Sequence, residues 1–311
     1  MDIRTFIGNE LQPSIKLLNC KRLRLFLLNT ILVIIFSLLY LKVAFYVRDA
    51  FDLNSRAIRY LAVPLIYLFY TYFRKKKKTF SEIYSDFVIK NVLLNYYPNW
   101  KLNKDILIDS SFILDTDLVK KGEYFDISNN VNGNIDNVYF DFYELKILER
   151  QILSARLPKM LFHGYFFIFN NNKKVESPLY VRPKLFYDFG KQLFQVDSIE
   201  LDSSEFNRRF SIYSNEPVEA RYILTPAMMA RILDFEKKYK HKISLLFRKD
   251  KLYIAFKGDN NFLEPALWKK ITTNTIIMQV EIFELIAEIV KELNIGNDIW
   301  LKDTIMNNNG E

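Results

Sequence analysis

The sequence predicts an α+β protein in which two N-terminal transmembrane helices precede one mixed, mainly antiparallel cytosolic domain. Two observations predict the membrane part: two apolar runs lie close to the N-terminus, and Lys and Arg cluster beside them. A third observation predicts the class of the domain. Behind residue 100, strand-like and helix-like patterns mix without the regular β-α-β alternation that marks a parallel sheet.

The first apolar run, Leu25–Leu41, has no charged residue over 17 positions. At about 1.5 Å per residue it covers about 26 Å of a hydrocarbon layer about 30 Å thick. An uncleaved signal sequence is the alternative. A second apolar run follows at once and no A-x-A-like cleavage site is found, so we expect a membrane-spanning helix.

The second apolar run, Tyr60–Phe73, has only 14 residues. Its terminal Tyr and Phe are typical of the aromatic belt at a membrane surface, and Pro64 is tolerated in a lipid-buried helix. A buried or interfacial helix is the alternative, because the run is short. Whether residues 60–73 fully span a bilayer stays open at this point.

Basic residues flank both runs on their outer sides. Residues 1–78 hold 14 Lys and Arg against 4 Asp and Glu, whereas the rest of the chain is close to neutral. The positive-inside rule therefore places both outer flanks in the cytosol. The basic cluster behind the second run is a topology signal and a candidate contact to anionic lipid; it comprises Arg74, Lys75, Lys76, Lys77 and Lys78.

These features predict five segments. They are a cytosolic N-terminal segment (1–24), a transmembrane helical hairpin (25–73), a basic juxtamembrane stretch with a helix (74–100), a soluble α+β domain (101–300) and a flexible tail (301–311). The juxtamembrane helix is expected to begin at Thr79, because Thr79 and Glu82 have capping-box spacing.

Within the domain, local patterns predict both turns and strands. Ser128–Asn137 is rich in Asn and predicts a turn, and Leu161–Phe169 is apolar on both faces, as in a central strand. Ile243–Phe247 and Leu252–Phe256 flank the sequence RKDK and predict a hairpin. Helices are expected from Thr225-Pro226, where Thr caps and Pro begins the helix, and over about 274–293.

Composition excludes several classes of function. The 8 Gly residues are too few for the usual phosphate-binding loops, and one Cys with two His cannot supply a structural zinc site. We therefore expect no cofactor and no metal. His163 lies in an apolar strand and is expected to be a packed core histidine. The near-neutral domain shows no basic footprint for nucleic acid.

The segment Ser203–Leu233 resembles the signature of a bacterial membrane-protein family known as domain of unknown function 3137. Its most specific part is EARYILTP, Glu219–Pro226, and HGYFFIFNNNKK at His163–Lys174 and FLEP at Phe262–Pro265 also match. The resemblance implies a bacterial inner (cytoplasmic) membrane protein without an assigned activity. It also implies a LemA-type membrane protein as a partner.

The best candidate interaction residues are Glu219 and Arg221. If Val218–Leu224 is a strand, both point to one face, and Val218, Ala220, Tyr222 and Leu224 point to a core. The pair either fixes one strand against a neighbour or binds an anion or peptide. The sequence favours a non-enzymatic, membrane-anchored cytosolic module that binds another protein or a second copy of itself, or that serves as a membrane-associated scaffold. The alternatives are a carboxylate-dependent hydrolase or transferase and an accessory subunit of a channel or transporter.

Overall fold

The computed structural model describes residues 3–51, 55–88, 91–92, 95, 97–103, 111–135, 138–149, 158–184, 198–239, 242–258 and 265–292. The chain divides into two compact units. The first, called here the anchor unit, comprises Met1–Pro98 and Leu263–Glu281. The second, called the sheet unit, comprises Asn99–Phe262 and Ile282–Glu311.

The anchor unit is helical. Its helices are α1 (Ile3–Asn9), α2 (Gln12–Phe51), α3 (Ser55–Val88) and the first part of a helix at Thr273–Glu292, numbered α8 below. Among the described residues, one helix is long and apolar enough to cross a membrane, over Gln12–Tyr46 of α2, and only 6% of its most apolar window is buried. Such a helix fits a membrane anchor or a signal sequence.

The second apolar run forms part of α3. Helix α3 is continuous from Ser55 to Val88, so the helix start predicted at Thr79 is wrong. The Thr79 hydroxyl donates to the Lys75 carbonyl, 3.2 Å away, as a residue in a helix interior does. The lysines do not interrupt the helix, because Lys is a good helix former. Side chains 60–66 of the second run lie outside the described set.

The sheet unit contains one antiparallel six-stranded sheet, and the predicted α+β class is thereby confirmed. Its strands are β1 (Lys101–Asn103), β2 (Tyr124–Ile135), β3 (Val138–Glu149), β4 (Lys159–Pro183), β5 (Phe210–Tyr213) and β6 (Ile243–Lys257). The order is β1-β2-β3-β4-β5, and β6 pairs with β4. The helices are α4 (Ser111–Leu114), α5 (Ser204–Arg209), α6 (Pro217–Ile223), α7 (Pro226–Tyr239) and the end of α8 (Thr273–Glu292).

Strand β4 organises the sheet. Its first part contains the predicted central strand Leu161–Phe169 and pairs with β3 on one side and β6 on the other, for example through Phe169 opposite Phe140 and Leu252. Its last residues, Tyr180–Pro183, pair with β5. Register shifts between Asn170 and Leu179 bend β4, so its first part pairs with β3 and its last residues pair with β5.

The hairpin predicted around RKDK is wrong. Residues 243–257 form one strand, and both of its halves pair antiparallel with β4. Lys249 has a φ of 56° in the middle of this strand, which produces a local kink without reversing the chain. The charged sequence resembles a turn because a kinked strand centre and a turn both favour polar residues.

The turn predicted at Ser128–Asn137 is also wrong over most of its length. Residues up to Ile135 belong to β2, and residues 136–137 lie outside the described part. The asparagines have structural partners instead. Asn130 is buried, accepts from the Asn103 amide at 2.9 Å and donates to the Phe142 carbonyl at 3.1 Å. Side-chain amides thus stabilise strands that their composition alone would not predict.

Both faces of the sheet are packed. One face carries a core cluster that includes Tyr143, Leu145 and Ile147 of β3, with α4 against it. The other face is aromatic. Ring centroids from β3, β4 and β6 lie between 5.0 and 6.4 Å apart, in tilted, edge-on and stacked pairs, and the rings are those of Phe140, Phe142, Tyr165, Phe167, Phe169 and Phe256. Phe235 of α7 contacts Phe256 on this face, and Trp100 contacts both Phe140 and Phe283 of α8.

Candidate interaction site on helix α6

The EARYILTP block forms a helix, a stop and a second helix. Val218–Leu224 was predicted to be a strand, and the structure shows that this is wrong: Pro217–Ile223 is helix α6. Pro217 occupies the first turn of α6, where a missing N–H is not needed. The start predicted for the next helix is confirmed, because Pro226 begins α7 and the Thr225 hydroxyl accepts from the Met228 N–H at 3.2 Å.

A helical period sorts the side chains of α6 into two groups. Ala220, Ile223 and the following Leu224 are buried at 1–2% exposure. Val218 is 79% exposed and Tyr222 is 52% exposed, so Tyr222 is not the core residue that a strand would have made it. Val218, Arg221 and Tyr222 lie three and four residues apart and therefore share the outer face of the helix.

Glu219 faces the sheet unit. Its carboxylate accepts hydrogen bonds from the backbone N–H groups of Glu176, at 2.9 Å, and Ser177, at 3.1 Å. These two residues belong to the bent part of β4, where register shifts leave donors outside the ladder. Glu219 therefore fastens α6 to β4. The structure does not bring Glu219 and Arg221 together as an ion pair.

Arg221 lies on the exposed side of α6. Its Nη1 donates to the Pro217 carbonyl at 3.4 Å and its Nη2 donates to the Glu200 carbonyl at 3.3 Å. Both bonds are long, and a guanidinium has five N–H donors in a planar fork. Arg and Tyr are also the residue types enriched where binding energy concentrates in protein interfaces. Val218, Arg221 and Tyr222 therefore form the candidate interaction site, called here the α6 patch.

A buried carboxylate elsewhere in the sheet was not found by sequence reasoning. Glu144 of β3 is 0% exposed, accepts from the Asn129 amide at 2.9 Å, and has its Oε1 atom 3.4 Å from Nε2 of His163. His163 lies in β4 as predicted, at the polar end of the aromatic face. A Glu in an alternating strand gives no sequence signal of burial. The pairing with Asn129 and His163 arises only from the register of three strands.

The described carboxylates do not converge on a reaction centre. Burial raises the pKa of Asp141, although hydrogen bonds from Tyr139 and Asn130 oppose the shift. Asp141 and Glu144 are three residues apart in β3 and so lie on opposite faces of the sheet. Among the described residues no group of three or more His, Cys, Asp or Glu is placed to hold a metal ion.

The basic cluster follows the second apolar run on α3. Arg74, Lys75, Lys76 and Lys78 are exposed and Lys77 is half-buried. The Lys76 ammonium lies 5.7 Å from the centre of the Tyr72 ring. An aromatic ring followed by one helical turn of lysines is the side-chain order expected at a membrane surface.

The geometry defines a protein with a long exposed apolar helix and a separate antiparallel α+β unit. Residues 160–295 match the model of a family described as "Protein of unknown function (DUF3137)". The resemblance drawn from the sequence is confirmed over this range, which includes α6 and EARYILTP. No curated protein matches the chain.

Among solved structures, the crystal structure of the mycobacterial trehalose monomycolate transport factor A, TtfA, aligns with this chain. The alignment covers 54% of this chain and 74% of that chain, at 10% sequence identity and a TM-score of 0.28. A TM-score of this size carries no argument about fold or function.

Proposed function

We propose that this protein is a membrane-anchored cytosolic module of the bacterial inner (cytoplasmic) membrane, and that its sheet unit binds another protein through the α6 patch. In this proposal α2 and the apolar part of α3 cross the bilayer as a hairpin. The N-terminus and the sheet unit face the cytosol, and the Arg74–Lys78 cluster contacts the inner leaflet.

The exposed apolar surface of α2 carries this proposal. Large side chains such as Ile34, Phe45 and Leu38 are 53–61% exposed, and together they form a surface far more extensive than a monomeric soluble protein leaves uncovered. Lipid is the solvent that suits such a surface. On α3, Tyr67, Leu68 and Tyr70 are also exposed at 58–65%, which supports two spans.

The α6 patch supports the second half of the proposal. Three side chains of α6 have roles in the folded sheet unit. Ala220 and Ile223 are buried, and Glu219 accepts hydrogen bonds from β4. Val218 and Tyr222 lie on the outer face of α6 at 79% and 52% exposure. An exposed Val and Tyr beside an Arg suit a protein surface that offers an apolar contact and a carboxylate. The proposed partner is another membrane protein, of the LemA type or a second copy of this chain.

Site-specific photocrosslinking in native membranes tests both halves. Tyr222 is replaced by a photoreactive phenylalanine analogue, and Tyr124 of β2, which is 49% exposed, serves as the matched control. The chain should resist alkaline extraction, and only the probe at position 222 should give a discrete adduct. Arg221→Ala should weaken that adduct about tenfold, because truncating a central interface arginine commonly costs about 1–2 kcal/mol.

The adduct mass separates the partners, since twice the chain mass indicates a second copy. Release of the chain by alkali would contradict the anchor. Equal crosslinking at positions 124 and 222, or an adduct that Arg221→Ala leaves unchanged, would contradict the α6 patch as the binding surface.

A further inference from the structure

A turn near the C-terminal end of the chain belongs to the anchor unit. In Pro265–Thr272 the Lys269 N–H donates to the Ala266 carbonyl at 3.2 Å, which closes a tight turn. Leu267 and Ile271 are buried at 1% exposure, whereas Trp268 is 66% exposed and both Lys269 and Lys270 are exposed. Two apolar residues thus fix the turn, and a Trp and two Lys project from it.

Hydrogen bonds tie this turn to the start of α2. The Arg22 Nη1 donates to the Leu267 carbonyl at 2.8 Å, and Arg22 is 9% exposed. Asn19 makes two bonds to Ile271: its amide donates to the carbonyl at 2.7 Å, and its oxygen accepts from the N–H at 2.9 Å. Further back, Gln12 donates to the Thr273 hydroxyl at 3.1 Å. The turn is therefore held in register along one face of α2.

The attachment points lie just before the apolar run of α2. Arg22 precedes Leu25 by three residues, which corresponds to about 4.5 Å along the helix axis, and Asn19 precedes it by about 9 Å. Leu17 is already 60% exposed, and from Leu23 onward exposed large apolar side chains follow one another closely along α2. Each polar layer of a bilayer is about 5–8 Å thick outside the hydrocarbon. If the apolar run crosses the membrane, the turn lies at the depth of the lipid headgroups.

The side chains on the turn suit that depth. Trp is enriched at the membrane–water boundary, because its ring is apolar and its N–H remains hydrogen-bonded. Lysines near the surface of the inner leaflet attract anionic lipid. Arg24 and the Arg74–Lys78 cluster add positive charge near the same end of the two apolar runs. Folding of the anchor unit does not require an exposed Trp, since Leu267 and Ile271 already provide the buried contacts of the turn.

We propose that the Pro265–Thr272 turn is a lipid-headgroup contact, in which Trp268 enters the interface and Lys269 and Lys270 bind the phosphates of anionic lipids. This inference rests on the proposed membrane anchor. It gives the C-terminal half of the chain a membrane contact of its own, separate from the basic cluster of α3.

Tryptophan quenching in vesicles tests the proposal with the full chain. The chain has 3 Trp, so the emission of Trp268 is obtained as the difference between the wild type and Trp268→Phe. The vesicles contain phosphatidylglycerol and a lipid that carries a spin label either in the headgroup or deep in the acyl chain. The headgroup label should quench Trp268 at least twofold more strongly than the deep label.

Charge variants give the second arm of the test. Lys269→Glu with Lys270→Glu should reduce the quenching of Trp268 in anionic vesicles. Two lysines near an anionic surface shift the equilibrium between the turn inside and the turn outside the headgroup layer by about 30-fold. Lys16→Glu is the matched control. Lys16 is an exposed residue of α2 that lies six positions further from the apolar run than Arg22, and its reversal should leave the quenching unchanged.

Two results would overturn the inference, and each is distinct from failure of the anchor. In a chain that resists alkaline extraction, an unquenched Trp268 would contradict the headgroup contact alone. If Trp268 is unquenched by both labels in vesicles but is shielded from solvent in native membranes, the turn contacts a protein partner and not lipid. A chain that alkali releases would contradict the anchor and the headgroup contact together.

Discussion

At the scale of single residues, Glu219 and Arg221 have different roles although they are two positions apart. The Glu219 carboxylate accepts from two backbone donors of β4, whereas Arg221 makes two long bonds to carbonyls on the surface. The first residue is expected to govern stability and the second to govern binding.

Replacing Glu219 by Ala should lower the free energy of unfolding by about 1–3 kcal/mol, because hydrogen bonds to a charged group are lost and two N–H groups of β4 lose their acceptor. Arg221→Ala and Tyr222→Ala should each change it by no more than about 0.5 kcal/mol, since both residues are exposed. Thermal melts of the detergent-solubilised protein measure the difference. A large loss of stability for Tyr222→Ala would show that α6 is packed differently.

The sequence identified these two residues but could not assign their roles. Over seven residues, the apolar positions Ala220, Ile223 and Leu224 fit a helical period, while Val218, Ala220, Tyr222 and Leu224 fit a period of two. Pro217 at the first turn was the local signal for a helix. The contact of Glu219 with Glu176 and Ser177 joins residues 42–43 positions apart, and no local pattern encodes it.

At the scale of elements, the close pairing of β4 with β6 depends on a glycine. A Cβ atom at Gly164 would collide with the Phe256 carbonyl and with Lys257. Backbone cannot move aside as a flexible side chain can, so this position requires Gly without any unusual φ angle.

Gly164→Ala should destabilise the sheet unit by about 1–3 kcal/mol, as overpacking against a neighbouring strand typically does. Gly8→Ala is the control, because a Cβ there meets nothing within 4 Å and Ala is favoured over Gly in a helix by up to about 1 kcal/mol. Urea unfolding followed by tryptophan fluorescence compares the two variants. Equal midpoints for both would show that β4 and β6 are further apart than described.

Elements with a long, consistent pattern could be predicted, and elements set by distant partners could not. The apolar run Leu161–Phe169 and the helix after Thr225 needed only local signals. Strand β6 was misread because its central charges resemble a turn. Its continuity depends on pairing with β4 residues more than 60 positions away, from Val181–Leu245 to Gly164–Lys257.

At the scale of the whole molecule, the proposed arrangement of the chain across a membrane is the property that would most constrain function. Basic residues lie outside both apolar runs, and in the centre of the connection, residues 48–56, Arg48 and Arg56 are balanced by Asp49 and Asp52. We expect both termini to be cytosolic.

A reporter that is active only in the periplasm should be silent when fused after Glu311 and active when inserted near Leu53. The physical reason is the retention of Lys and Arg on the cytosolic side during insertion. Matched expression of the two fusions, checked by immunoblotting, is the control. The reverse activity pattern would place the sheet unit outside the cytosol and would leave no access to a cytosolic partner.

The hydrogen bonds between α2 and the Pro265–Thr272 turn also set an order of events during synthesis. Asn19 and Ile271 are separated by 252 residues, so at about 5–20 residues per second the ribosome delivers the second roughly 13–50 s after the first. In the proposed topology the apolar runs enter the bilayer during that interval, while Arg22 still lacks the Leu267 carbonyl. In a chain whose translation stops before residue 267, Arg22 would lack the Leu267 carbonyl and Asn19 would keep only its bond to the Ile15 carbonyl. The start of α2 therefore gains its full set of hydrogen bonds only when synthesis has reached residue 271.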